Sequence, residues 1–372
     1  AISDLGITNG IASGFVMVSA STYTALITPT AQGQVTIDVP AGAAQDAAGN
    51  ANIAGQAVSN YIDRAYTAER TKRVIRNFMS RRADQITAAD PDLVWRLQRN
   101  RGASGASGPV GFTGRGTEEN VEIAFSTSLR QVMSASSYHK AVNAKDGMQN
   151  LMALGYQQMM KPQAEYGFDI WVQGKISRID TDTSETDLGL LYVAADYRFS
   201  QDVVVGIMSQ FDWASENDDR NGASAEGFGW MIGPYIVGRI HQNFLFEGRF
   251  AAGRADNKVS PFNTYEDDFE TERWLARARL TGDFHYGEWN FEPHIGIIYF
   301  EEKQKAYRDS FGTFIAGQDV TLGRLTFGPK ISRRFIASDG KTIIAPHIGL
   351  QAIWDFDKAE TVDVATGLGS GS

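Results

Sequence analysis

The sequence predicts an all-β protein dominated by an antiparallel outer-membrane β-barrel, with a lumenal or linker helix and a small N-terminal β-sandwich. Three observations carry this. From Tyr166 onward apolar and polar residues alternate with period two: Phe168, Ile170, Val172 and Ile176 against Asp169, Gln173, Lys175 and Ser177. The alternating runs reach the roughly 9–11 residues a strand needs to cross a membrane, longer than most soluble strands. Their connections alternate between tight turns and longer polar stretches, as barrels of this kind require.

Composition agrees. The chain has 372 residues, 38 of them Gly, with 11% aromatic residues and no cysteine. It has therefore no disulfide framework and no thiolate metal site. A net charge of -9 argues against gripping nucleic acid. No apolar run approaches the roughly 20 residues of a spanning helix, which leaves a barrel open because alternation keeps mean hydropathy low. The chain opens at Ala1-Ile-Ser-Asp4 directly into β-like sequence without a signal peptide, so the natural N-terminus is expected further upstream.

Four zones follow one another. Residues 1–63 carry strand candidates at Val16-Met-Val18, Tyr23-Thr-Ala-Leu-Ile27 and Gln34-Val-Thr-Ile-Asp-Val39, with turns at Pro29, Pro40 and Asp46-Ala-Ala-Gly-Asn50. Residues 64–136 begin with a basic helix capped near Thr67, with Val74, Phe78 and Ile86 on one face and a second short helix near Asp90-Pro91. Its charges, Arg64, Arg70, Lys72, Arg73, Arg76, Arg81 and Arg82, read as a solvated face or as a contact for lipopolysaccharide phosphates or an acidic partner. A Gly/Ser-rich linker over 101–116 follows, then a strand-like run at 121–129 that the pattern does not place. Residues 137–165 form a candidate lumenal helix; from 137 to 165 it would measure about 43 Å, enough to thread a core of about 30 Å.

The barrel occupies 166–372, with nine strands near 166–180, 188–200, 202–215, 227–241, 243–254, 268–286, 289–302, 322–337 and 341–357. Tight turns fall at Gln201-Asp202, Gln242-Asn243, Gly287-Glu288 and Ser338-Asp339-Gly340. Long loops are expected at 181–187, 216–226, 255–267 and 303–321. Aromatic residues near strand ends, among them Tyr197, Phe199, Trp213, Trp230, Phe244, Trp289 and Trp354, make an interfacial girdle. Alternation turns Trp274, Ala276, Ala278 and Leu280 outward. It turns Asp196, Arg198, Glu247, Arg249, Arg273, Arg277, Arg279 and Asp283 toward the lumen. These eight either pair among themselves and hold register, or serve selectivity or a threaded helix.

The chain from 166 to 372 resembles the autotransporter β-domain family, translocators of type V secretion. The likeness rests on Trp171-Val-Gln-Gly-Lys175, Leu191-Tyr-Val-Ala-Ala-Asp-Tyr197, Val204-Val-Gly-Ile207, Gly233-Pro-Tyr235, Glu292-Pro-His294 and Ala345-Pro-His-Ile-Gly349. Residues 1–63 resemble the C-terminal part of a bacterial Ig-like repeat through Ile27-Thr-Pro29, Val35-Thr-Ile37, Val39-Pro-Ala-Gly42 and Asp46-Ala-Ala-Gly-Asn50. The resemblance implies about twelve strands ending on an aromatic residue. Nine are found before Gly367-Leu-Gly-Ser-Gly-Ser372, so truncation before the last strands is expected. It also implies a monomeric barrel in the outer membrane of a Gram-negative bacterium, in contact with lipid and lipopolysaccharide. The barrel-assembly machinery would insert it, and an adhesin-like Ig-like passenger would stand at the cell surface. A porin or ligand channel with a periplasmic N-terminal domain is the alternative; a barrel-embedded hydrolase is a distant third.

Catalytic signals are lacking. His139, His241, His285, His294 and His347 form no pair at metal-ligand spacing, and no nucleophile elbow, P-loop or dinucleotide fingerprint occurs. No enzyme and no cofactor are expected. Asp218-Asp219 and Glu266-Asp267-Asp268 fall in predicted loops as solvated acids, and Asp46 with Asn50 reads as a plain turn before a Ca²⁺ site.

Overall fold

The computed structural model describes residues 2–19, 21–31, 33–46, 48–97, 111–117, 120–130, 132, 167–333, 335–336, 343–344 and 346–358. The chain divides into two units, Ala1–Glu69 and Arg70–Ser372.

The first unit holds β1 (Gly6–Thr8), β2 (Gly10–Ser19), β3 (Thr22–Pro29), β4 (Gly33–Val39) and β5 (Gly55–Tyr61). They form a β1-β4-β5 sheet and a β2-β3 hairpin. The turn between β4 and β5 is closed by Asp46, whose Oδ1 accepts the N–H groups of Ala48 and Asn50 at 2.9 Å each. Its Oδ2 accepts the Asn50 amide, and Gly49 takes the positive φ that the reversal requires. These hydrogen bonds hold the Asp46 carboxyl below its ordinary range. Helix α1 (Arg64–Ala88) begins on Asp63, whose Oδ1 accepts the N–H groups of Ala65 and Tyr66 at 3.0 Å, four residues before the expected cap at Thr67.

The second unit is dominated by one large sheet, with the small pairs β16-β17 and β19-β20 beside it. Its strands are β6 (Gly111–Gly116), β7 (Asn120–Ser128), β8 (Gly167–Thr181), β9 (Ser184–Arg198), β10 (Val203–Asp218), β11 (Ala223–His241), β12 (Phe244–Ser260), β13 (Asp267–Gly282), β14 (Phe284–Tyr286) and β15 (Trp289–Gln304). A small hairpin of β16 (Tyr307–Arg308) and β17 (Phe314–Ile315) leads to β18 (Gln318–Arg333). Then come β19 (Phe335–Ile336), β20 (Ile343–Ile344), β21 (His347–Gly349) and β22 (Ala352–Lys358). Neighbours pair antiparallel along the path β21-β18-β15-β13-β12-β11-β10-β9-β8-β7-β6, with β22 also on β18.

Each of the nine expected strands has a counterpart, and the sheet extends two strands earlier. β7 pairs with β8 from Asn120↔Ile179 to Ser128↔Trp171, which places the run 121–129 in the sheet and moves its start ahead of 166. The expected long loops shrink. β8 and β9 are joined by a two-residue turn, with Thr181 opposite Ser184, instead of a loop over 181–187. The polar alternation there continues the strands, stitched by Arg178 to Asp187 at 2.8 Å and to Glu185 at 2.5 Å. The other loops contract to 219–222, 261–266 and 305–317 for the same reason: polar residues on a strand's outer face do not end it. The final run, expected as one strand over 341–357, is broken into β20, β21 and β22.

The outward face sorts by depth. Tyr197, Phe199, Phe244, Tyr286, Trp289 and Phe291 stand exposed at the tight-turn end. Trp213, Phe228, Trp230 and Trp354 stand exposed higher up, with Val193, Val205, Ile207, Ile236 and Ile295 between. About ten residues of tilted strand separate the bands, about 24 Å, the height of a barrel's apolar belt. Glu226, Arg254, Asp256, Lys258, Asp268 and Glu270 continue the outward face above it.

Candidate functional site

The interior face of the sheet is occupied. From Arg70 to Leu97 the chain is enclosed by β8, β9, β10, β12, β13, β15 and β18. At the long-connection end, Arg70 Nε donates to the Pro261 carbonyl at 2.6 Å, and its Nη2 donates to the Asn221 carbonyl. At the tight-turn end, after the single 3-10 turn Val94–Arg96, Arg96 reaches β8 and β9. The expected lumenal helix over 137–165 lies outside the described residues; the occupant described is α1 with the turn after it.

Sequence dictates how α1 fits. Ile75, Phe78, Met79, Ala83 and Ile86 recur at helical spacing and join one core cluster with Leu190, Met208, Met231, Leu275 and Phe300 of the wall. Each of the larger of these side chains contributes about 1.5–3 kcal/mol of apolar burial. Part of the basic face of α1 is not solvated as expected, Arg70 and Arg82 being buried. Arg82 is 1% exposed, donating to Asn257 Oδ1 at 2.7 Å and pairing with Glu302, while Arg81 pairs with Glu216. Gly227 makes the space: a Cβ there would overlap Asn257 Oδ1 and press on the Arg82 guanidinium. Gly229 likewise leaves room for Arg273.

The turn after α1 carries the densest polar contacts. Directly opposite each other in the β12–β13 register stand Arg249 and Arg277, a like-charge pair that is destabilising by itself. Asp90 lies between them, one carboxylate oxygen on each guanidinium. Directly opposite in the β8–β9 register stand Asp169 and Asp196, and here Arg96 lies between. Its Nε donates to Asp196 at 2.7 Å and its Nη2 to Asp169 at 2.8 Å. Asp92 meets Arg279 at 3.1 Å, and the Leu93 N–H donates to Glu247 at 2.6 Å. Tyr235 donates to Asp196 and receives the Trp171 indole N–H at 2.8 Å, and Trp95 stacks edge-on against Trp171.

Of the eight residues that alternation turned inward, six touch this segment: Asp196, Arg198, Glu247, Arg249, Arg277 and Arg279. Arg273 pairs with Asp212 across the wall, and Asp283 sits at the tight-turn end beside Arg239 and His285. Asp90, Asp92, Arg96, Asp169 and Tyr235 were not among the site residues expected from sequence. Asp169 and Tyr235 share the strand parity of the residues that were, so extending the alternation would have found them. Asp90, Asp92 and Arg96 leave no such signal, because their partners are distant in the chain.

Beside the end of α1 a cavity of about 260 Å³ is lined by Thr87, Asp90, Arg277, Arg279, His294 and Arg324, among others. No group of three or more His, Cys, Asp or Glu side chains that could hold a metal occurs among the described residues.

Comparison with known proteins agrees with this architecture. A family model described as the autotransporter β-domain matches residues 170–372, and one described as a bacterial Ig-like domain matches residues 1–62. The β domain of the Bordetella autotransporter BrkA is 18% identical, with a TM-score of 0.41, over 51% of this chain and 80% of that one. The translocator domain of the autotransporter NalP from Neisseria meningitidis is 14% identical, with a TM-score of 0.38, over 62% of this chain and 80% of that one. No curated protein sequence matches the chain.

Proposed function

This chain belongs to the autotransporter β-domain family, and from that premise we propose that residues 70–97 are its lumenal plug, retained in the barrel after an N-terminal surface segment has been exported. It is an outer-membrane autotransporter translocator of a Gram-negative bacterium, with its passenger at the cell surface. The single observation that supports the plug is the pair of like-charge clashes in the wall, Arg249 against Arg277 and Asp169 against Asp196, each neutralised by one residue of the segment, Asp90 or Arg96. The wall pairs some charges itself, Arg273 with Asp212 and Arg277 also with Glu247, while the segment supplies the counter-charge to Arg249, Asp169 and Asp196.

In this reading the tight turns face the periplasm and α1 enters from outside. Six of the eight inward residues serve to receive the plug, and residues 1–63 are a surface stalk of adhesin-like, non-enzymatic character. The barrel is monomeric, is inserted by the barrel-assembly machinery, and meets lipopolysaccharide phosphates through basic outward residues such as Arg254 and Lys258. The plug also separates this function from that of a porin.

Planar-bilayer conductance tests it. The intact chain should conduct poorly, and deletion of residues 70–97 should open a large, steady conductance. A protease-sensitive tag placed before residue 64 should be cut on intact cells. High conductance of the intact chain together with a protected tag would make it a porin with a periplasmic domain.

A further inference from the structure

The sequence run Glu266-Asp267-Asp268 reads as a solvated acidic loop, but Asp267 is turned inward at the start of β13 and meets the β16–β17 hairpin. Its Oδ1 accepts the Ser310 N–H at 2.8 Å and the Ser310 hydroxyl. The neighbouring Asp309, 6% exposed, closes the hairpin: its Oδ1 accepts the N–H groups of Phe311 at 3.0 Å and Thr313 at 2.7 Å. Each carboxylate thus spends one oxygen on the fold. The other oxygen of each, Asp267 Oδ2 and Asp309 Oδ2, is buried with no hydrogen-bond partner. Neither residue has an ion pair among the described residues.

Two further oxygens are buried and unpartnered in the same place. The Thr313 hydroxyl belongs to a residue 3% exposed whose own N–H is bonded to the Asp309 carboxylate, and the Tyr307 phenol starts the same hairpin. Ser310, bonded to Asp267, directly follows Asp309, and Thr313 is bonded to Asp309, so the two carboxylates meet where the hairpin joins β13. Leaving two carboxylate oxygens, a hydroxyl and a phenol buried without partners is costly. Hard oxygen donors without nitrogen or sulfur suit a Ca²⁺-like cation, which takes six to eight oxygens and completes its shell with water.

We propose that Asp267 and Asp309, with the hydroxyls of Thr313 and Tyr307, hold a divalent cation of the calcium class that ties the β16–β17 hairpin to the start of β13. With only two carboxylates, the affinity belongs to the range of extracellular modules, roughly 10⁻⁴–10⁻³ M. The cation would fasten the connection 305–317, including the exposed Arg308, against β13.

The full chain, refolded in detergent micelles after chelation, should be titrated with CaCl₂ by calorimetry and with Tb³⁺ while exciting tyrosine. One site per chain is expected, and saturating Ca²⁺ should slow trypsin cleavage after Arg308 at least fivefold. Asp309→Asn keeps the oxygen that closes the hairpin and should weaken Ca²⁺ binding at least tenfold, whereas Thr313→Val should weaken it less. Asp268→Asn, on the exposed face one residue away, should bind as the parent does. Absence of binding up to 10 mM, binding unchanged in Asp309→Asn, or an equal loss in Asp268→Asn would each overturn the proposal. If Asp309→Asn refolds poorly, Thr313→Val in the same titration decides.

Discussion

Arg96→Met tests how far the wall depends on the segment it encloses. The substitution keeps the stem of the side chain and removes three hydrogen bonds, Nε to Asp196 at 2.7 Å and Nη2 to Asp169 and Asp196 at 2.8 Å each. The side chains of Asp169 and Asp196 are only 3% exposed, and they then face each other across the β8–β9 pair with no cation between. Removing one partner of a buried ion pair costs about 3–5 kcal/mol. Coulomb's law gives about 4 kcal/mol for unit charges 4 Å apart at an effective dielectric of 20. A loss of about 3–5 kcal/mol is therefore expected, read from urea unfolding of the refolded barrel in micelles. The decisive arm repeats the substitution in an Asp169→Asn, Asp196→Asn background. There Arg96 is itself the uncompensated charge, so its removal should be neutral or stabilising. A cost below about 1 kcal/mol in the parent, or the same cost in both backgrounds, would refute the idea that the segment neutralises the wall.

Three further outcomes follow from the geometry. Ala278→Arg puts a charge on the outward face near mid-belt and should cost about 2–4 kcal/mol; an unchanged urea midpoint would mean that this face does not meet lipid. Gly227→Leu should drive Arg82 from its seat on Asn257 and Glu302 and lower the temperature at which the barrel unfolds on a heat-shift gel, whereas Gly349→Ala, exposed and with room for a Cβ, should change it little. Asp46 has its carboxyl held below its ordinary 3.8 by Asn50. Its contribution to the stalk turn is therefore full above that value and lost as pH falls through the lowered one; hydrogen exchange at Ala48 and Asn50 should quicken there, and Asp46→Ala should abolish that dependence.

Much was legible in one dimension because a membrane strand obeys a strictly local rule. Side chains alternate across the sheet, so Trp274, Ala276 and Ala278 separate from Arg273, Arg277 and Arg279 without knowledge of any neighbour. Strand ends were less legible: the run from Arg178 to Asp187 is as polar as a loop, and only its cross-strand ion pairs show that pairing continues.

Local sequence was enough for the architecture: an antiparallel barrel, eight of its later strands and the general run of the ninth, the alternation of faces along them, and the separate N-terminal module. Tertiary structure alone decided what the interior is for. That Arg249 stands against Arg277, and Asp169 against Asp196, depends on register between strands. That Asp90 and Arg96 complete them depends on contacts across 159 and 100 residues. Local periodicity carries no information about charges brought together over such distances, and the basic face of α1 looks the same in sequence whether it meets water or the carboxylates of an enclosing wall.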